Sequence, residues 1–344
     1  MPGIAVAREL VRRNSKTQIL FVGAEQGIEA TVVPREGFAL ETLRVGGLKR
    51  VGWFRTWVNA VAMAAALIRS WGLLARFDPD VVVGLGGYAS FPAVGAAILR
   101  RVPRVIMEQN ILPGLANKVL GMRADFVAVP DERAARHFPG RAVVTGNPVR
   151  KAFKAIPRKD HQPPFTVLVT GGSQGAESIN GAVMDALTYL SERKTMLRFL
   201  HQSGHRQEPA VRNRYEEAGF DAEVRSFFEG FERCYEDADL IISRAGNTSV
   251  AEIQAAGRAS ILIPLPFAAD DHQRRNARAM ADASAAVVID PTELNGERLA
   301  KEIVDLLDAP DRLRKIEENA REMAVTDAEA RVADLIERAA RRKP

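Results

Sequence analysis

Short runs of apolar, largely β-branched residues recur along the chain, and between them lie longer stretches whose apolar positions return every three or four residues. Read this way, strands are predicted at 18–22, 81–84, 104–107, 126–129 and 142–145, and a second series at 166–169, 197–202, 222–226, 240–242, 260–263 and 286–289. Helical patterns separate most of them. Apolar strands alternating with helices predict parallel sheets covered on both faces. The alternation breaks once, in "NPVRKAFKAIPRKDHQPPF" (147–165), where four prolines and five basic residues accompany no sustained apolar period. The break reads as an interdomain linker. The predicted organisation is a first domain over 1–148, a linker over 149–164, a second domain over 165–325 and a C-terminal helix over 326–344. The fold class is α/β: two doubly wound, Rossmann-like domains facing a cleft, with ligands beyond the carboxyl ends of the strands.

The chain has 344 residues, 47% of them hydrophobic, enough for two ordinary cores. Cys234 is its single cysteine, so no internal disulfide forms, which suits a reducing compartment. Met1-Pro2-Gly3 leads straight into an amphipathic helix pattern rather than a signal peptide. The longest near-apolar run, 57–68, is too short to span a bilayer. The net charge of +5 is unevenly spread: about +9 through Arg150 and about −4 after it. The first half therefore favours an anionic partner. Few aromatics and no nucleic-acid motif argue against that partner being a nucleic acid.

Several strand ends carry polar or glycine-rich loops. "TGGSQGA" (170–176) follows a strand and precedes a helix, where backbone N–H groups and the helix N-terminus favour an oxyanion. It lacks the dinucleotide G-x-G-x-x-G spacing and the Walker lysine, and it reads equally as a tight turn with Ser173 capping the helix. "SRAGNTSVAE" (243–252) repeats the architecture with Gly246, Asn247, Thr248 and Ser249 at the helix start and Glu252 one turn in. Glu252 can accept hydrogen bonds from both ribose hydroxyls, or it can close a capping box with Ser249. "IPLPFAADDHQRRNA" (263–277) gathers Asp270, Asp271, His272, Gln273 and Asn276. One histidine beside carboxylates is a weak metal signature, whereas Gln273 and Asn276, a helical turn apart, suit a sugar. In the first half, Tyr88 lies in "GLGGYASFPA" (84–93), and Glu108, Gln109, Asn110 and Asn117 form a polar set at one strand end. Arg150 sits at the mouth of the linker, as a ligand group or in an interdomain salt bridge.

Together these loops, Gly84-Gly86-Gly87-Tyr88, Glu108-Gln109-Asn110, Asn147-Pro148-Val149-Arg150, Gly171 to Gly175, Gly246 to Glu252 and Asp271-His272-Gln273, resemble in order and spacing the bacterial MurG family. The resemblance covers essentially the whole chain. It implies the GT-B glycosyltransferase architecture and inverting transfer of N-acetylglucosamine from UDP-N-acetylglucosamine to the muramyl 4-hydroxyl of lipid I, giving lipid II for peptidoglycan. It implies UDP-N-acetylglucosamine contacts from Asn110, Arg150, Ser173, the Phe228 backbone, Gly246, Asn247, Thr248, Ser249, Glu252 and Gln273, and an acceptor side at Tyr88, Glu108 and Asn117. No metal or other cofactor is obligatory, because helix N-termini and loop N–H groups can stabilise the departing diphosphate. The implied location is peripheral, on the cytoplasmic face of the inner membrane, in cell-wall synthesis with its links to cell shape and division, beside other cell-wall synthesis proteins. The C-terminal helix would pack back on the first domain.

The family normally begins with a strand and a glycine-rich loop ending His-x-x-Pro. This chain starts at that proline, in "MPGIAVARELVRR", and none of His137, His161, His201, His205 or His272 occupies the family position, so the catalytic base is unknown. A doubly wound sheet without its usually central first strand leaves its neighbours unpaired, so poor folding or rearrangement is expected, and the given start reads as internal to a longer product. Two rivals follow: a UDP-N-acetylglucosamine-binding remnant without transferase activity, and another UDP-sugar enzyme such as a 2-epimerase. Finally, all three tryptophans lie within 53–71. On one helix Trp53 and Trp71 share an azimuth, with Trp57, Ala60, Ala64, Leu67 and Ile68 near it and Arg55, Arg69 and Arg76 opposite. The stripe faces the core, or it sits with Lys49, Arg50 and Arg55 in an anionic bilayer interface.

Overall fold

The computed structural model of the chain describes residues 2–25, 27, 29–43, 53–87, 90–172, 175–266 and 271–343, and of residues 53–61 the backbone alone. In chain order the elements are α1 (Pro2–Arg13), β1 (Leu20–Ala24), α2 (Glu29–Arg35), β2 (Ala39–Leu43), α3 (Trp53–Phe77), β3 (Val82–Gly84), α4 (Ser90–Leu99), β4 (Arg104–Met107), α5 (Leu115–Gly121), β5 (Phe126–Val129), α6 (Glu132–Ala135) and β6 (Ala142–Val144). There follow α7 (Lys151–Lys154), β7 (Phe165–Thr170), α8 (Glu177–Tyr189), β8 (Leu197–Gln202), α9 (Glu208–Ala218), β9 (Asp221–Arg225), α10 (Phe231–Asp237), β10 (Leu240–Ser243), α11 (Asn247–Ala256), β11 (Ser260–Leu262), α12 (His272–Asp282), β12 (Val287–Val288), α13 (Gly296–Leu307), α14 (Pro310–Glu322) and α15 (Ala328–Ala340). They form two compact units, residues 1–148 with 327–344, and residues 149–326.

The second unit is a parallel sheet in the order β12-β11-β10-β7-β8-β9. The middles of β7, β10 and β11 are apolar on both faces because helices cover each side. Val167, Val169, Phe199 and Ile242 face one helical layer with residues of α8, α9 and α13, while Leu168, Leu200 and Ile241 face the other with residues of α10, α11 and α12. Each such side chain contributes roughly 1.5–3 kcal/mol on burial. The chain runs outward from β7 to β8 and β9, then returns to β10 on β7's other flank. The carboxyl ends of β7 and β10 are therefore the switch point of the sheet, where loops diverge and leave a crevice.

The stretch predicted as a linker is packed into this unit. Val149, Phe153 and Ile156 are buried in its core. Their spacing, i, i+4 and i+7, is helical, but the surrounding prolines and charges conceal it. Further along, His161 lies between Asp239 and Glu317.

The first unit holds two parallel sheets, β1-β2 and β3-β4-β5-β6, and among the described residues no ladder joins β1 to β3. Among the described residues β1 and β3 are each paired on one side only, β1 with β2 and β3 with β4. The core beside β4 and β5 is closed by α1 and α15: Val6, Val332, Leu335, Ile336 and Ala339 pack on Val105, Met107, Phe126 and Ala128. Arg338 and Arg342 also lie over the Phe126 ring, at 4.8 and 4.7 Å. β1 begins two residues later than its apolar run suggests, and β2, "ALETL", was not predicted, because its central glutamate interrupts any apolar run.

α3 is a single helix of 25 residues. Ala66, Ser70, Leu73 and Leu74 form its buried side, whereas Ile68 and Trp71 are 73% and 42% exposed. The expected core-facing stripe is thus, at Ile68 and Trp71, a solvent face. The side chains of Trp53, Arg55 and Trp57, and residues Lys49 and Arg50, lie outside the described residues. Among the described residues no helix is long and apolar enough to cross a membrane.

Candidate functional site

At the switch point of the second unit, two helices begin where two adjacent strands end. The loop after β7 turns at Gly172 and Gly175, both with positive φ. Gly175 has no alternative: a Cβ there would lie 2.2 Å from the Ser203 carbonyl oxygen. α8 follows, with Ala176 at its N-cap, a residue whose side chain makes no cap hydrogen bond. After β10, Gly246 is the N-cap of α11, again without a side-chain cap. The first N–H groups of a helix have no partner within it, so the first turn of α11, at Thr248 and Ser249, offers donors and a positive dipole end to an anion. Since the helix begins at Asn247, Ser249 is already in its first turn and the capping-box reading of Ser249 with Glu252 does not apply.

Beneath these loops lies Arg244, which the sequence pattern did not single out. Its guanidinium donates to the carbonyls of Ile263 (3.2 Å) and Pro264 (3.0 Å) and to the Ser178 hydroxyl (2.7 Å). Burial lowers its pKa, yet an arginine stays charged in such a setting. Among the described residues its acceptors are neutral, so its positive charge can serve an anion at the loops.

Glu252 is half-buried on α11, and burial raises its carboxyl pKa to about 7, against the opposing pull of Arg150. Arg150 itself pairs with Glu232 at 3.2 Å and lies over the Phe153 ring at 4.8 Å. Both partners belong to the same unit as Arg150, so that ion pair is not interdomain. Gln273 accepts the Leu265 N–H at 2.9 Å, which leaves its amide nitrogen as a donor. Asn276, expected to join Gln273 on a sugar, is buried and committed to the frame: it donates to the Ala245 carbonyl (3.0 Å) and to Asn247 Oδ1 (2.7 Å). Phe228 is buried, and its N–H donates to Gln202 Oε1 at 3.0 Å, so its carbonyl is the backbone group left for a base. Ser173 lies outside the described residues, and so does Asp270.

A second polar network braces the glycine loop. His201 is fully buried, and burial lowers its pKa to about 3, so the imidazole is neutral. Its Nδ1 accepts from the Tyr215 hydroxyl (3.1 Å), and its Nε2–H donates to Asn180 Oδ1 (3.0 Å). Asn180 in turn donates to the Ser203 carbonyl, the oxygen against which Gly175 rests. The available sequence signal was "HQSG" at 201–204, a polar pair ending an apolar run as "TGG" does.

In the first unit Glu108 is a brace. Its carboxylate accepts from Asn110 N (2.7 Å), Asn110 Nδ2 (3.0 Å), Gly114 N (3.2 Å) and Asn117 Nδ2 (3.0 Å). Asn117 also donates to the Met107 carbonyl and packs on Gly86. Asn147 donates to the Gln109 carbonyl at 3.1 Å. These residues thus hold the loop after β4 in shape, with Asn110 at its half-buried rim. Tyr88 lies outside the described residues.

Uncapped helix starts at a parallel-sheet switch point, a buried cation below them and a carboxylate beside them define a nucleotide-binding α/β unit of the kind found in nucleotide-sugar enzymes. Residues 1–129 match the glycosyltransferase family 28 N-terminal domain and residues 166–338 the family 28 C-terminal domain. The chain is 44% identical to the UDP-N-acetylglucosamine--N-acetylmuramyl-(pentapeptide) pyrophosphoryl-undecaprenol N-acetylglucosamine transferase of Myxococcus xanthus (strain DK1622), over 97% of this chain and 88% of that one. The crystal structure of Acinetobacter baumannii MurG superposes with a TM-score of 0.76 at 28% identity, covering 98% of this chain and 95% of the other. A UDP-GlcNAc 2-epimerase from Neisseria meningitidis shares the fold alone, with a TM-score of 0.69 at 13% identity over 97% and 95% of the two chains. The chain belongs to the MurG family of glycosyltransferases, with the two-domain GT-B fold, and is a hexosyltransferase.

Proposed function

We propose that this chain transfers N-acetylglucosamine from UDP-N-acetylglucosamine to the muramyl 4-hydroxyl of lipid I, with inversion, forming lipid II for peptidoglycan. The observation that carries the reading is the pairing of open helix N-termini over Arg244 with the Glu252 carboxylate on α11, in a member of this family. The diphosphate lies against the loops after β7 and β10. Glu252, as the carboxylate, accepts the ribose hydroxyls, the Phe228 carbonyl takes the uracil N3–H, and the Gln273 amide donates to a sugar hydroxyl. The acceptor oxygen attacks C1 while the bond from C1 to the UDP oxygen breaks. The electron pair departs onto the β-phosphate, where Arg244 and the first N–H groups of α8 and α11 meet the developing charge. These groups supply the counter-charge without an obligatory metal. The hydroxyl proton passes to a general base. His161 is not that base, since it is tied to Asp239 and Glu317, nor is His201, which is buried and neutral.

The second part of the reading is peripheral attachment to the cytoplasmic face of the inner membrane. Ile68 and Trp71 on α3, Phe91 and Leu99 on α4, and Leu115, Val119 and Met122 on or next to α5 are large apolar side chains exposed to solvent. α3 packs on α4 and α4 on α5. None of the three helices contains a carboxylate, while Arg69, Arg76, Lys118 and Arg123 are exposed on or beside them. An apolar face with a basic rim suits an anionic bilayer surface, where the lipid-linked acceptor resides.

The test is turnover of UDP-N-acetylglucosamine labelled in the sugar, with and without a lipid I analogue. Acceptor-dependent release of UDP with label in the lipid-linked disaccharide is expected. Consumption of the donor without acceptor supports the epimerase rival instead, and tight donor binding without turnover supports the binding remnant.

A further inference from the structure

β8 ends in His201-Gln202, and successive side chains of a strand point to opposite faces. His201 enters the layer of α8 and α9 described above. Gln202, 3% exposed, enters the other layer. Its Oε1 accepts the Phe228 N–H at 3.0 Å, and its Nε2 donates to the Gly172 carbonyl at 3.1 Å and to Thr170 Oγ1 at 3.4 Å. Thr170 Oγ1 also accepts the Gly172 N–H at 3.1 Å. The direction of the amide is fixed, because a backbone N–H can only donate and a carbonyl can only accept. One buried side chain thus joins the glycine loop to the turn at Phe228, segments that lie 30 residues before it and 26 residues after it.

We infer that Gln202 is a positioning residue of the donor site, coupling the turn that meets the nucleobase to the loop that meets the diphosphate. The inference rests on the donor-site reading under Proposed function. If the two loops are held by one amide, base and diphosphate are recognised by a single rigid unit, and the binding of each part prepares the site for the other. Rotating or removing that amide leaves both loops folded on their strands but no longer in register with each other.

Gln202→Glu tests this. The glutamate keeps an oxygen for the Phe228 N–H but places a second oxygen against the Gly172 carbonyl, which repels it. The expected result is a rise of about tenfold or more in KM for UDP-N-acetylglucosamine and in Kd for UDP, with kcat changed by only about threefold or less. Uridine, which spans one loop only, should lose only about threefold or less in affinity. Thr170→Val, which removes the hydroxyl shared by Gly172 and Gln202 without changing side-chain shape, should show the same pattern in weaker form and serves where the glutamate variant fails to fold. A folded variant with unchanged UDP affinity, or one that loses uridine and UDP affinity equally, overturns the coupling. Absence of UDP binding by the unaltered protein overturns the donor-site reading, and this inference with it.

Discussion

Arg244 donates to the Ser178 hydroxyl at 2.7 Å, and its other acceptors among the described residues are the carbonyls of Ile263 and Pro264. The relationship joins the start of α8 to the end of β10 through a buried cation held by neutral oxygens. Among the described residues no carboxylate pairs with it, and burying a charge on neutral oxygens is costly, so such an arrangement persists where the charge has work to do. Replacing Arg244 by Met keeps much of the volume and removes the charge. The expected outcome is about a tenfold or greater loss of UDP affinity, with a smaller loss for uridine, alongside about 1–3 kcal/mol of destabilisation from the unmet carbonyls. Equal losses for UDP and uridine in a titration would assign Arg244 to scaffold alone.

If Arg244 and the helix N-termini meet the diphosphate charge, turnover should persist in a chelator such as EDTA. Loss of activity restored by a divalent cation would show that a metal shares the task.

Glu252 has a carboxyl pKa raised to about 7, chiefly by burial. A raised carboxyl pKa means the folded protein holds the proton more tightly than the unfolded chain. Stability therefore falls as pH rises from the ordinary glutamate value through about 7, by roughly 2–3 kcal/mol. Glu252→Gln should remove that cost, raising the melting temperature at pH 8, while weakening UDP binding about tenfold because an amide is a poorer acceptor for two hydroxyls. UDP affinity of the unaltered protein should rise between pH 6 and 8. An unchanged affinity in the variant would take Glu252 out of the site.

His161 lies 2.8 Å from Asp239 and 3.1 Å from Glu317. Burial alone would lower its pKa, but the two carboxylates outweigh it and raise it to about 9. As with Glu252, the raised pKa makes stability fall as pH rises, here from a favourable ion pair: the stabilisation is complete below the ordinary histidine value and is lost as pH rises through about 9. His161→Gln should cost about 2–3 kcal/mol at pH 6 in chemical denaturation, and the gap should narrow towards pH 10. A gap independent of pH would mean that packing, not charge, ties this segment to its unit.

The surface of α3, α4 and α5 should bind vesicles containing anionic lipid at low salt and release them at high salt. Ile68→Asp together with Leu115→Glu should reduce binding about tenfold or more while leaving acceptor-free UDP binding intact. Equal affinity for neutral and anionic vesicles in a sedimentation assay would remove the electrostatic part of the reading.

Much of the second unit was legible in advance. Its central strands β7, β10 and β11 carry apolar runs with both faces buried, and the glycines at 171–175 and at Gly246 punctuate strand ends. Such signals are local, and six motifs in order specify a family. What stayed hidden is non-local. Asn276 shares a helical turn with Gln273, yet it is spent on Asn247 and Ala245, because only the folded chain brings α12 beside the start of α11. Val149, Phe153 and Ile156 looked like linker until a core formed to receive them.

By itself, then, the sequence determined the alternation of strands and helices, the positions of the glycine loops at strand ends and the family, since each depends on residue type and spacing along the chain. Only the tertiary structure decided that Ile68 and Trp71 face solvent rather than core, that Glu108 is a brace, that Arg244 lies buried among neutral acceptors, and that Gln202 joins two distant loops. Burial and hydrogen-bond partnership are properties of three-dimensional neighbours, and a side chain's role follows from the groups that fold around it.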